Sequence, residues 1–170
     1  MELLKPIHEY SGEIMEYQQA FLDAGEQPHG SSSLQNFDSL DEWFEKVSIQ
    51  EIGKNLPRNR VPSSQFLSFE KEELIGFVNI RHRLNPELLL ESGHIGYSVH
   101  PNKRRQGYAT KQLQLSLAEA QKLGLQKVLI TCDKSNIGSA KTIQKVGGVL
   151  ENEVVSSHTG EIVQRYWIEI

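Results

Sequence analysis

The sequence predicts a single mixed α/β domain: a twisted, mostly antiparallel sheet of about six or seven strands flanked by about four helices. Three observations predict it. Apolar residues recur at helical spacing early in the chain and again after Gly107, and fall into short β-type runs elsewhere. Those runs include two hairpin-like pairs, at 64–82 and 149–168. One strand-helix-strand unit, at 94–132, is long enough for a right-handed crossover and predicts one parallel strand pair. A chain of 170 residues, 38% hydrophobic and 24% charged, has the size and composition of one domain that buries a core without disulfide or metal staples.

Taken in order, Leu3-Leu4 suggests a short strand. Ile14, Tyr17 and Phe21 mark one face of a helix at about 11–24, and PHGSSSLQNFD (28–38) reads as a loop. Ser39-Leu-Asp-Glu42 has capping-box spacing before a helix at about 40–50 that carries Leu40, Trp43, Phe44 and Val47 on one face. Residues 64–70 and 74–82 form a hairpin, and 94–99 a third strand that Pro101 stops. Ala109, Leu113, Leu117 and Ala120 share a helical face, and Gly124 suits the position after that helix. KVLITC (127–132) reads as a strand central to its sheet; a short helix at 139–146 ends at Gly147-Gly148, and 149–155 with 162–168 closes the chain as a hairpin. Functionally the chain divides into a helical region at 1–60, a core at 61–150 and the C-terminal hairpin at 151–170.

Composition narrows the function. A net charge of -4 argues against nucleic acid as the partner. No run approaches the roughly 20 apolar residues of a membrane helix, and the first residues show no apolar core of a signal peptide. The lone Cys132 predicts a reducing, cytoplasmic setting.

The chemistry concentrates in GYSVHPNKRRQGYATKQL, residues 96–113. A strand ends, proline breaks it, Lys103, Arg104 and Arg105 follow, and Gly107 opens a helix. The first turn of a helix presents free N–H groups and the positive end of its dipole, so this is an anion site in outline, or else a solvated basic helix start. No G-x-G-x-x-G, H-E-x-x-H or G-x-S-x-G occurs, and Gly138-Ser-Ala-Lys141-Thr142 lacks the glycines of a phosphate loop.

Here the sequence resembles a family. Arg104-Arg-Gln-Gly107-Tyr-Ala109 matches the Q/R-x-x-G-x-G/A signature of the GNAT superfamily of N-acetyltransferases, and Val99-His-Pro101 fits the strand end before it. Asn136-Ile-Gly-Ser139 and Lys145-Val-Gly147 match a second segment. The resemblance covers about 94–150, and the stretch 61–168 as a whole is similar to a subgroup of bacterial predicted acetyltransferases. It implies transfer of the acetyl group of acetyl-CoA to a primary amine. A small-molecule acceptor comes first, with a protein N-terminus or lysine, or a non-catalytic CoA-binding sensor, as alternatives. By the resemblance, backbone amides of Arg105, Gln106, Gly107, Ala109 and Thr110 would cradle the pyrophosphate, with Arg104 guiding its entry. Val99 would pair with the pantetheine arm and polarise the thioester carbonyl; Asn136 and Ser139 would line the channel. Asn136 also reads as a plain helix N-cap. The chain departs from the pattern at Ile143, where many members carry a tyrosine that protonates the leaving thiolate.

For the general base, His94 opens the strand leading to Val99, and Tyr166 is the other catalytic candidate. Alternation puts His94 and Val99 on opposite strand faces unless a bulge intervenes; without one, Tyr97 shares the Val99 face. Hairpin symmetry about Leu88 would set His82 opposite His94, yet no third ligand of suitable spacing suggests a metal. The apolar Leu88-Leu89-Leu90 could cover the acceptor site or, like the final hairpin, build a homodimer, and Phe37, Trp43 and Phe44 are candidates for the acceptor side.

Overall fold

In a computed structural model describing all 170 residues, the chain begins with β1 (Glu2–Leu4) and a 3-10 turn before α1 (Ser11–Asp23). Ile14, Tyr17 and Phe21 of α1 are buried at the predicted spacing. α2 (Leu40–Ile52) starts where Ser39 Oγ accepts a hydrogen bond from the Asp41 amide, and ends at Gly53 in the left-handed region, two residues beyond the predicted stop. β2 (Ser63–Glu70) and β3 (Glu73–Arg81) form the predicted hairpin. After β4 (Ile95–Val99) come α3 (Tyr108–Lys122), β5 (Lys127–Asp133), α4 (Ile137–Lys145), β6 (Val149–Val155) and β7 (Ile162–Glu169).

The strands divide into two sheets, β1-β2-β3-β4 and β5-β7-β6, and every ladder is antiparallel. The predicted parallel pair is therefore corrected: β4 and β5 lie side by side but share no ladder. They are tied at one end only, where the His94 amide donates to Leu129 O (2.7 Å) and the Leu129 amide donates to His94 Nδ1 (2.9 Å). Gly93 makes this approach possible, since a Cβ there would overlap the Leu129 carbonyl. β5 is likewise not central. Its Val128, Leu129 and Ile130 are fully buried, but it has one strand neighbour, β7. An apolar run reports burial on both faces, and a split sheet with helices over it satisfies that as well as a central ladder does.

The hairpin expectation also shifts by one residue. Ile80 pairs with Ile95, and the Arg81 amide donates to His94 O, so Arg81 rather than His82 faces His94. The connection winds into a π-helical turn at Leu88–Ser92, which breaks the assumed symmetry about Leu88. His82 turns instead to Ser64 Oγ, 2.9 Å away.

Alternation along β2 and β3 gives the first sheet a core on each face. Leu67, Phe69 and Phe77 pack under α1 and α2 with Trp43 and Tyr17. Phe66, Val78 and Ile80 pack with Leu113, Ile130 and Ile143 on the side of α3, α4 and the second sheet. Trp43 and Phe44 thus belong to the core rather than to a pocket. No helix is long and apolar enough to cross a membrane.

Candidate active site

Beside β4 runs a groove of about 690 Å³, lined by Tyr97 to Val99 of β4, the turn and first residues of α3, and the start of α4. One wall is the end of a helix. The first helical bond of α3 is Lys111 N–H to Gly107 O (3.2 Å), which leaves the amides of Tyr108, Ala109 and Thr110 without helical partners. Gly107 caps the helix at φ 82°, a conformation an L-residue resists, and its missing side chain would point into open space. Arg105 also adopts the left-handed region (φ 61°), as residues do in turns whose successive amides can bind an anion. Free amides, a helix dipole and an empty volume beside Gly107 fit a diphosphate.

The three basic residues before Gly107 are not equivalent. Lys103 is paired with Glu73 (2.5 Å). Arg104 makes a two-pronged contact with Glu26 (2.9 and 2.6 Å) and lies 5.5 Å from the Phe21 ring centre. Glu26 is held below the usual carboxylate range by that guanidinium. Arg104 therefore fastens the 24–39 loop across the groove. Arg105 lines the groove and makes no ion pair. Gln106 is turned back, its amide reaching Asn102 O at 3.4 Å, and does not line the groove.

Opposite the helix start, Asn136 Oδ1 accepts from the Ser139 amide (3.0 Å) and so caps α4, while the residue also lines the groove. Ser139 Oγ lies 2.9 Å from Tyr97 Oη. Burial raises the Tyr97 phenol to about 12, so it holds its proton firmly. The β3–β4 register runs from Ile80/Ile95 to Gly76/Val99 with no bulge, which sets Tyr97 and Val99 on one face, across the strand from His94.

Beyond Tyr97 the groove continues into two further cavities, of about 270 and 240 Å³. His29 lines all three spaces. Its loop is pressed onto β4 through two glycines: a side chain on Gly30 (φ 72°) would overlap the Gly96 carbonyl. Polar groups on the β2–β3 face hold the loop there. Gln65 Nε2 donates to Gly30 O (2.8 Å), and Ser32 Oγ donates to Gln65 Oε1 (2.7 Å). Asn79 Nδ2 donates to Ser32 Oγ (3.1 Å). All three side chains are buried or half-buried, where an unpaired amide is costly, so they fix the loop in one position.

Of the residues the sequence singled out, Val99, Arg104, Arg105, Gly107, Ala109, Thr110, Asn136 and Ser139 come together along the groove. His94 and Tyr166 do not. His94 is buried at the β4–β5 tie, with Trp167 beside it, and burial lowers its pKa to about 4. Tyr166 is buried between Ile130 and Leu150 and donates to Gln164 Oε1 (2.7 Å). Ile143 is fully buried in the core. Sequence reasoning missed His29 and Arg81. A signal for Arg81 existed: after Phe77, the alternate positions Asn79 and Arg81 are polar in an otherwise apolar strand.

A glycine-opened helix start whose free backbone amides face a groove is a site for a diphosphate-bearing cofactor. The chain belongs to the GNAT acetyltransferases: the family model described as an acetyltransferase (GNAT) domain matches residues 6–149. Acetyl-CoA is its cosubstrate. Among solved structures it is similar to the microcin C7 self-immunity acetyltransferase MccE, in complex with acetyl-CoA and AMP (18% identity, TM-score 0.72, covering 99% of this chain and 91% of that one). It is also similar to the Salmonella typhimurium acetyltransferase that modifies the N-terminal serine of ribosomal protein L7/L12 (16%, 0.70, 99% and 94%). The Vibrio cholerae spermidine N-acetyltransferase SpeG is a third (17%, 0.67, 99% and 95%). Comparison with curated proteins gives no match.

Proposed function

We propose that this single acetyltransferase domain moves an acetyl group directly from acetyl-CoA to a primary amine on a small molecule. The observation that carries the reading is the continuity of the groove from the free amides of α3, past Tyr97, into cavities bordered by the 24–39 loop. Cavities of this size suit a compact acceptor rather than a folded protein surface. The structural neighbours include enzymes named for spermidine and for a protein N-terminal serine, so the fold serves both acceptor classes.

Acetyl-CoA supplies an activated thioester. The chain's residues bind and orient it. The amides of Arg105 and of 107–110 hold the diphosphate, the β4 edge at Val99 meets the pantetheine arm and polarises the carbonyl, and Asn136 and Ser139 line the channel. Tyr97, with Oη held by Ser139, stands where it can give a proton to the departing sulfur, the task the tyrosine missing at position 143 would have had. His29, an imidazole at the junction of cofactor and acceptor spaces, takes the proton of the incoming amine. His94 and Tyr166 keep structural places in this mechanism.

We infer a cytoplasmic setting from the lone cysteine, Cys132, which is free and half-buried; burial raises its thiol to about 11. A homodimer is supported by the outer edge of β6, where Val149 (70%) and Val155 (67%) are exposed. Thiol release from acetyl-CoA across a panel of small amines and short peptides tests the function. Turnover of small amines is expected. Turnover confined to peptides transfers the assignment to a protein acceptor, and silence across the panel with cofactor binding intact makes the chain a CoA sensor.

A further inference from the structure

The cavity that shares only His29 with the cofactor groove has a chemistry the acetyl-transfer reading does not use. It lies between the 28–35 loop, α2 and the far end of β3. Its lining is almost wholly polar, and three cations meet in it: Lys46, Arg60 and Arg81. The one carboxylate on its wall is Glu87, which is exposed and lies 3.6 Å from His158.

None of the three cations has a carboxylate partner. Arg81 Nη1 donates only to the carbonyls of Ser92 (3.1 Å) and Gly93 (3.0 Å). Lys46 Nζ donates to Ser32 O (2.6 Å). Burial and mutual repulsion with Arg60 lower both: Arg81 falls to about 10, and Lys46 falls below the ordinary lysine value. Cations gathered without counter-charge raise one another's electrostatic energy, and an anion in the cavity removes that cost. A second, independent observation points to an occupant. Gln35 Oε1 and Gln50 Oε1, both on this wall, are buried with no hydrogen-bond partner. Such acceptors call for an N–H or O–H group, which a hydrogen phosphate supplies and an ionised carboxylate does not.

The middle cavity, which shares Arg81, His29 and Gly30 with this one, carries the opposite charge. Glu91 and Asp133 line it beside Tyr97. The acceptor space is thus polarised, with carboxylates next to the cofactor groove and cations at the far end.

We infer that the Lys46–Arg60–Arg81 cavity is an anion subsite of the acceptor site, and that the acceptor is a small amine carrying a carboxylate or phosphate at its other end. This rests on the proposed acetyl transfer. A polyamine, cationic at both ends, would place an ammonium among three cations and is selected against.

The test is calorimetric, on protein first saturated with CoA so that the α3 cradle is blocked. Three probes are titrated in turn: inorganic phosphate, 5-aminopentanoate and 1,5-diaminopentane. Saturable binding of phosphate, of 5-aminopentanoate or of both is expected, and which of them binds tells phosphate from carboxylate. The diamine is expected not to bind. Lys46→Gln and Arg60→Gln, at side chains that reach solvent, should each weaken anion binding roughly tenfold, the loss expected for one charge-assisted hydrogen bond, with the thermal midpoint unchanged. The inference is overturned by no saturable anion binding up to 50-fold the millimolar range (~50 mM), by anion binding that both variants leave intact, or by tighter binding of the diamine. Failure to bind CoA would instead sink the transferase reading, and phosphate titrated into the free variants and wild type would still decide the subsite.

Discussion

The two halves of the groove are built in different ways. The cofactor half is almost entirely backbone: amides at the start of α3, the edge of β4 and the capped start of α4. The acceptor half is almost entirely side chain, drawn from the 28–35 loop, α2, the end of β3 and the turn after it. Backbone amides recognise a diphosphate whatever residues carry them, provided the turn has the right φ values and no Cβ intrudes. Side-chain polarity, by contrast, is what distinguishes one amine from another. A family can therefore keep the first half constant and vary its chemistry through the second.

The largest effect is expected in the cofactor half. Gly107→Glu forces a side chain with like charge into the diphosphate space at φ 82°, and should weaken acetyl-CoA binding by at least ~100-fold while the strained φ itself costs only about 1–2 kcal/mol of stability. Unchanged affinity would place the cradle elsewhere. At the junction, Tyr97→Phe removes one hydroxyl, and should lower kcat by about 100-fold with cofactor affinity near wild type. His29→Gln should cost a similar factor, and the loss should shrink as pH rises and more of the amine is already neutral. If Tyr97→Phe lowers affinity and not kcat, the phenol is a wall and not an acid.

The acceptor half should break through packing. Gly30→Ala combines strain at φ 72° with overlap of the Gly96 carbonyl, and should cost about 1–3 kcal/mol in chemical denaturation while raising KM for the amine more than for acetyl-CoA. A neutral Gly30→Ala would show that the loop is not pressed onto β4 in solution.

The most general effect, and the smallest at neutral pH, is the tie beneath both halves. The folded pKa of His94 is depressed from 6.5 to about 4 by burial, so its neutral form carries the stability. That contribution is present above pH ~6.5, where the unfolded chain is also neutral, and is lost as pH falls towards 4, by up to about 3 kcal/mol. Glu91, lowered to about 2 by the hydroxyls and amide of Ser156 and Ser157, acts in the same direction at still lower pH. Denaturation of His94→Gln between pH 4 and 7 should show a flatter profile than wild type. Equal slopes would remove His94 from the account.

This contrast also explains what could be read from the sequence. The cofactor half is local: a strand end, three basic residues and Gly107 sit within eleven residues, and their spacing alone outlines an anion site. Helices α1 to α4 and the two hairpins were legible from period and turn residues. The acceptor half was not, because Gly30 meets Gly96, and Lys46 meets Arg60 and Arg81, only through the tertiary fold. The split between β4 and β5 was hidden for a related reason. KVLITC is as apolar as a central strand, and nothing local records that its second neighbour touches it at His94 alone. His94 was a reasonable base by type and position along the strand, but alternation turned it away, to the face opposite Tyr97 and Val99.

Amide hydrogen exchange, measured with and without saturating CoA, tests the central claim most directly. Slower exchange is expected at 105–110 and 136–139, where backbone amides meet the cofactor, with 46–60 of the acceptor half unchanged. Bound CoA with unaltered exchange at 105–110 would contradict the account.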